Sequence, residues 1–289
     1  MKLNKVEPKY ISKSNPRIGL ITLGSDFRIE KDFNNVIYGR DIDLYVNRIH
    51  CYNPLTNETL AKMADDITDV TKDILPDQKI DCVAYGCTSG TVAAGYDVIK
   101  EKVNLAKPEA MVTTPITAAI KALNKLGINK ISIFTPYTKT INDSVVGYFE
   151  KKNVKVNSLT YFDIDSDLDI GKVDEDHLFD VLSKIDLTDS EALFVSCTAL
   201  PVLSIINKLE KRLNKVVLSS NQTLIWDSLN AIGYKNKVEG FDGGAKVLLK
   251  KIKHVVLEQQ QLFELSYQKL LRELKEHKIL QTDGTHLKD

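Results

Sequence analysis

The chain has 289 residues, 43% hydrophobic and 27% charged, and its 39 basic residues balance 39 acidic ones. That composition fits a globular protein and lacks the basic excess of a dedicated nucleic-acid binder. No apolar run approaches the ~20 residues of a membrane span, and the polar stretch Met1–Asn15 lacks the apolar core of a secretory signal.

Short β-branched runs alternate with helical patterns along the chain. Strands are predicted at Arg17–Leu23, Asp43–His50, Ile80–Tyr85, Lys130–Thr135, Val154–Phe162, Ala192–Ser196 and Lys215–Ser219. Helices are predicted between them, among them Asn57–Leu75 and Ile116–Leu126. The second has explicit ends: Thr114 to cap it, Pro115 for its first turn and Gly127 after its last. Strands alternating with helices imply parallel sheets covered on both faces, an α/β fold.

The pattern also repeats. Cys87 and Cys197 are 110 residues apart, the strands at Ile18 and Ile131 are 113 apart, and those at Tyr45 and Val156 are 111 apart. The chain therefore reads as two similar parallel-sheet α/β halves, a pseudo-twofold duplication with its site in the cleft between them. Residues 17–115 and 220–250 are assigned to the first half and 116–219 to the second. Residues 251–289 are read as a C-terminal helical extension, with a leucine stripe (Leu257, Leu265, Leu271, Leu274) suited to its own domain or to a second copy, and a homo-oligomer is expected.

Four cysteines without a CxxC pair favour a reducing, cytoplasmic setting over disulfides or a zinc site. Cys87 and Cys197 each follow a predicted strand and precede a threonine and a helix-compatible run. Thr88–Ala94 is expected to open one helix, and Thr198–Pro201 another with Pro201 in its first turn. Helix N-termini around both sulfurs are expected to lower the thiol pKa, giving a nucleophile or base. The same N–H groups, with the Thr88 and Ser89 hydroxyls, suit a carboxylate or an enolate-like oxyanion. Cys82 and Cys51 lack this context and are read as structural or surface residues. The five histidines form no metal spacing, Gly240–Gly244 is a poor phosphate loop, and no cofactor signal is present.

Gly86-Cys87-Thr88-Ser89, Ser196-Cys197-Thr198-Ala199, Thr135-Pro136-Tyr137 and Ser219-Ser220-Asn221-Gln222-Thr223-Leu224-Ile225-Trp226 together resemble the aspartate/glutamate racemase superfamily. The branch they resemble is that of maleate cis–trans isomerase, arylmalonate decarboxylase and the ectoine-utilisation racemase-like proteins. The likeness runs from about Arg17 to Leu249. It implies catalysis by Cys87 and Cys197, a substrate-carboxylate contact from Tyr137, and a cleft wall ordered by Asn221 and Gln222. Decarboxylases of the branch have glycine at the first cysteine position, so keeping both cysteines favours racemisation or isomerisation.

Two departures bear on the substrate. The resemblance places carboxylate-binding asparagines where this chain has Asp26 and Asp167, and amino-acid racemases of the superfamily carry an aspartate at the first place. Carboxylates there favour an ammonium or a protonated amide, with Arg28 and Arg48 available to offset local charge. The reading is a cofactor-independent racemase or isomerase acting α to the carboxylate of a small amino acid or N-substituted amino acid. Thr88, Ser89, Thr198 and Ala199 would surround the carbanion. A maleate-type cis–trans isomerase with Cys87 as covalent nucleophile, an arylmalonate-type decarboxylase and a non-catalytic small-acid binding protein are the alternatives.

Overall fold

The computed structural model describes residues 3–11 and 14–234. The C-terminal extension at 251–289 and the segment 235–250 assigned to the first half lie outside the described residues.

The first half runs β1 (Arg17–Leu23), α1 (Ile29–Ile37), β2 (Asp43–Ile49), α2 (Asn57–Lys62), α3 (Ile67–Lys72), β3 (Cys82–Gly86), α4 (Thr88–Ala94), α5 (Tyr96–Ala106) and β4 (Met111–Thr113), and α6 (Pro115–Leu126) starts at the boundary drawn between the halves. The second half runs β5 (Lys130–Thr135), α7 (Lys139–Lys151), β6 (Lys155–Tyr161), α8 (Asp167–Gly171), α9 (Glu175–Leu182), β7 (Ala192–Val195), α10 (Ile206–Leu213) and β8 (Val216–Ser219), and α11 (Ser220–Ala231), in the stretch assigned to the first half, follows it. Each half builds a four-stranded parallel sheet, ordered β2-β1-β3-β4 in one and β6-β5-β7-β8 in the other. Both sheets therefore wind second–first–third–fourth, and the duplication read from cysteine spacing is a duplication of topology.

The central strands β1, β3, β5 and β7 are almost wholly buried, as parallel strands covered on both faces must be. Helix α6 begins and ends as its sequence dictates. Thr114 and Thr117 form a capping box, Pro115 sits in the first turn, and Gly127 closes the end in the left-handed region at φ +67°. Two expectations change. Asn57–Leu75 is broken into α2, a 3₁₀ turn at Met63–Asp66 and α3; the turn buries Met63 and Ala64 through tighter i→i+3 bonding. A further strand, β4, pairs Met111–Thr113 with Cys82–Ala84; three residues between Pro108 and Pro115 carry too little pattern to announce a strand.

Helix α11 is the least ordinary element. Every residue from Ser220 to Leu229 is buried, because the helix lies against α6, α1, β3 and β4. Buried polar residues need partners inside the protein: Ser220 and Asn221 Nδ2 find theirs at the site, whereas Asn221 Oδ1, both side-chain polar atoms of Gln222 and Trp226 Nε1 have none among the described residues.

Candidate active site

Strand β3 ends at Gly86, and Cys87 caps α4 in an extended conformation. Its Sγ accepts the Gly90 N–H at 3.2 Å and lies 3.9 Å from the Ser89 hydroxyl. Glycine is required at 90: a Cβ there would come within 2.8 Å of the sulfur and 3.0 Å of the Tyr85 hydroxyl.

Cys197 occupies the matching place in the second half but is built differently. No helix opens at Thr198–Pro201, contrary to the sequence expectation. The chain bends through Thr198–Leu200 and α10 starts only at Ile206. The reason is the backbone at Cys197, which takes φ +98°, a region costly for a residue with a Cβ by roughly 1–3 kcal/mol. Its N–H is directed to the Ser220 hydroxyl at 3.0 Å.

Both thiols are buried, and burial pushes both well above the ordinary thiol value. At Cys87 the Gly90 N–H opposes the rise, while Asp167 and Cys51 add to it. At Cys197 Asp167 and Asp26 add to the rise, and the Ala199 N–H and Tyr137 hydroxyl oppose it. The expectation of lowered thiol pKa values is thus overturned: one or two N–H donors do not compensate for the loss of water around a buried anion.

The two cysteine motifs are joined directly. Ser220 Oγ lies 2.8 Å from Thr88 Oγ1 as well as accepting the Cys197 N–H. Thr198 donates its hydroxyl to Gly86 O at 3.2 Å, beside Cys87. Asn221 donates from Nδ2 to Thr198 O at 2.9 Å and to Asp32 Oδ2 at 2.8 Å. Tyr137 is buried, takes a 3.4 Å bond from Ser196 Oγ, and feels the charge of both thiols. Cys87, Thr88, Ser89, Tyr137, Cys197, Thr198 and Ala199 therefore gather in one place between the halves.

Asp26 and Asp167 join them. Asp26 is fully buried; its Oδ1 accepts the N–H groups of Arg28 and Ile29 at 2.7 and 3.1 Å, and its Oδ2 has no partner within bonding distance. Burial raises its pKa; the two N–H bonds, the nearby Thr198 hydroxyl and Arg48 oppose that. Asp167 accepts the Ser25 hydroxyl at 2.6 Å and is raised to about 6, first by burial and then, against the Ser25 bond, by Asp26. Arg48 offsets the charge from behind, donating to Asp26 O at 2.7 Å and pairing with Glu30; Arg28 donates to Gly171 O.

Three further residues belong to this neighbourhood. Asp32, bonded to Asn221, is raised by burial to about 7. Cys51, read from sequence as a structural or surface residue, lies close enough to Asp167, Ser25 and Asp26 for all three to act on its thiol. Ser220 ties the two motifs together; its place beside Asn221-Gln222 was the only sequence signal for it.

The profile of the arylmalonate decarboxylase family matches residues 37–243. The chain belongs to that family. Among its relatives, the maleate isomerase of Geobacillus stearothermophilus is 25% identical over 237 residues, covering 77% of this chain and 94% of the other. The arylmalonate decarboxylase of Bordetella bronchiseptica is 26% identical over 136 residues, 46% of this chain and 53% of that one. Solved family structures share the fold. A maleate isomerase from Pseudomonas putida with maleate superposes with a TM-score of 0.70 at 21% identity, covering 82% of this chain and 98% of that one. A cysteine-to-serine mutant of the Nocardia farcinica maleate cis–trans isomerase, with a covalently bound succinylcysteine intermediate, superposes with a TM-score of 0.72 at 19% identity over the same shares. Members of this family are cofactor-independent isomerases and decarboxylases, and the chain is an enzyme of that group.

Proposed function

We propose that the protein is a racemase-type isomerase that moves a proton at the carbon α to the carboxylate of a small amino acid or N-substituted amino acid. The observation that carries this reading is the pair of buried carboxylates, Asp26 and Asp167, beside the two thiols, with Asp26 Oδ2 unpartnered. Two N–H bonds at Oδ1 leave the other oxygen of this buried carboxyl unsatisfied, which is costly, and a substrate ammonium supplies the missing bond. The substrate carboxylate then falls to Tyr137 and the backbone N–H groups after the cysteines.

Cys87 and Cys197 approach from opposite halves, so each addresses one face of the α-carbon. One, as thiolate, takes the α-proton and becomes a thiol; the other delivers its proton to the opposite face and becomes the thiolate. The proton count is unchanged and the roles are exchanged. Because both resting thiols are held high by burial and by neighbouring carboxylates, an ammonium between Asp26 and Asp167 also favours the thiolate that reacts. The Thr88 and Thr198 hydroxyls, bonded to Ser220 and Gly86 O at rest, must turn toward the developing negative charge.

One observation favours a second reading, the maleate-type isomerase with Cys87 adding to the double bond. A carboxyl raised to about 6, as at Asp167, is protonated in mild acid and then donates to a carboxylate much as an amide does. The two readings separate in deuterated water at pH 5.5 and pH 8, with maleate beside a panel of D- and L-amino acids, on the wild type and Asp26→Asn. The racemase reading expects deuterium in an amino acid at pH 8 and loss of that preference in Asp26→Asn. Maleate turnover by the wild type at both pH values, with no amino-acid exchange, would overturn it.

A further inference from the structure

The two cysteines occupy equivalent positions in equivalent halves, yet their backbones differ. Cys87 is extended, at φ −141°, and caps a helix. Cys197 stands at φ +98° with no helix behind it. We propose that Ser220 is a positioning residue that holds Cys197 in this conformation and so aims its sulfur at the site; the inference rests on the reading of Cys197 as the second proton-transfer group.

The duplication shows that the Ser220 hydroxyl is not there for its helix. In the first half β4 leads to α6 through Thr114, the cap, and Pro115 in the first turn. In the second, β8 leads to α11 through Ser219, the cap, whose Oγ accepts the Gln222 N–H at 3.2 Å, and then Ser220. The first helical position needs no side-chain bond, which is why proline serves there. Ser220 is fully buried and spends its hydroxyl on the Cys197 N–H at 3.0 Å and Thr88 Oγ1 at 2.8 Å. It thus fixes the backbone of one cysteine and the neighbour of the other with one oxygen. Without it the Cys197 N–H would be buried and unpaired. The backbone would then be free to relax toward negative φ, turning the Cβ–Sγ bond away from Tyr137 and Ala199.

The test compares the two sulfurs within one molecule. Full-length wild type, Ser220→Ala and Ser220→Thr are treated with iodoacetamide, and the alkylation rates of Cys87 and Cys197 are read by peptide mass spectrometry. Ser220→Ala should lower the Cys197:Cys87 rate ratio by about tenfold, the size of effect that losing one buried hydrogen bond produces. Ser220→Thr, which keeps the hydroxyl, should hold the ratio near the wild-type value. An unchanged ratio in Ser220→Ala, or an equal fall at both cysteines, would overturn the proposal. A measurement on the wild type stands apart from the variants: the Cys197 amide should exchange with deuterium as slowly as the amides of β7, and exchange at the rate of an exposed loop would also overturn it. Neither readout uses a substrate, so failure of the racemase reading appears in the turnover assay and failure of the Ser220 proposal appears here.

Discussion

Asp167→Asn offers the most direct test of the charge argument. The carboxyl rises from an ordinary 3.8 to about 6 on folding, with burial as the main cause. At 1.36 kcal/mol per pKa unit, ionised Asp167 therefore destabilises the fold by roughly 3 kcal/mol. The folded state holds the proton more tightly, so stability from this group is greatest below pH 3.8 and is lost as pH rises through about 6. Asparagine has nearly the same shape, and its carbonyl oxygen can still accept the Ser25 hydroxyl that now lies 2.6 Å from Oδ2. The variant should thus be more stable than wild type at pH 8, by up to on the order of 5–10 °C in Tm. The two should converge toward pH 4. Thermal melts across that range are the assay, and a second readout comes from the thiols. Asp167 pushes both Cys87 and Cys197 up, so iodoacetamide should react faster with both in the variant at pH 8. A stability gap independent of pH, or a variant less stable than wild type at pH 8, would refute the reasoning.

Other outcomes follow from the same geometry. Cys87→Ser and Cys197→Ser should each abolish turnover while melting within a few degrees of wild type, because a hydroxyl is a far weaker acid than a thiol; solvent-deuterium incorporation is the measurement. Bound substrate should protect both cysteines from alkylation. Gly171→Ala should melt within a few degrees of wild type, because the Phe27 ring that its Cβ would meet at 2.6 Å and 2.8 Å is half exposed and can swing outward. The same variant should raise KM, because α8 carries Asp167 and packs on the loop that carries Asp26.

The frame of the protein is legible in its sequence because the signals are local. Arg17–Leu23 and Lys130–Thr135 are buried runs that can only be central strands, and Thr114-Pro115 with Gly127 brackets α6 residue by residue. The cysteine spacing exposes the duplication because both cysteines stand just after the third strand of their halves. What the sequence hides is decided by distant partners. Thr198-Ala199-Leu200-Pro201 reads as a helix start, yet the conformation of Cys197 that prevents one is held by Ser220, 23 residues further on. Helix ends around the cysteines suggest acidic thiols, but their burial is set by the packing of the two halves and outweighs the N–H donors. Asp32 and Cys51 enter the site only because α1 and the end of β2 fold over it.

The charges of the site bear on the proposed zwitterionic substrate. Arg48 spends its guanidinium on Asp26 O, Leu23 O and Glu30, and Arg28 directs its own to Gly171 O. Neither meets the free Oδ2 of Asp26. The resting cleft therefore pairs neutral thiols with carboxylates short of a cation. An ammonium would supply that cation and, by screening Asp26 and Asp167, remove both carboxylate influences on Cys197 and the one from Asp167 on Cys87. On the proposed racemase reading, binding and activation of the base would be one event, and the reactive thiolate, the form open to oxidation, would exist chiefly when substrate covers it. A dicarboxylate has the opposite effect. At pH 8 it would add negative charge beside two buried aspartates and push both thiols higher still, so its turnover would require Asp26 or Asp167 to hold a proton.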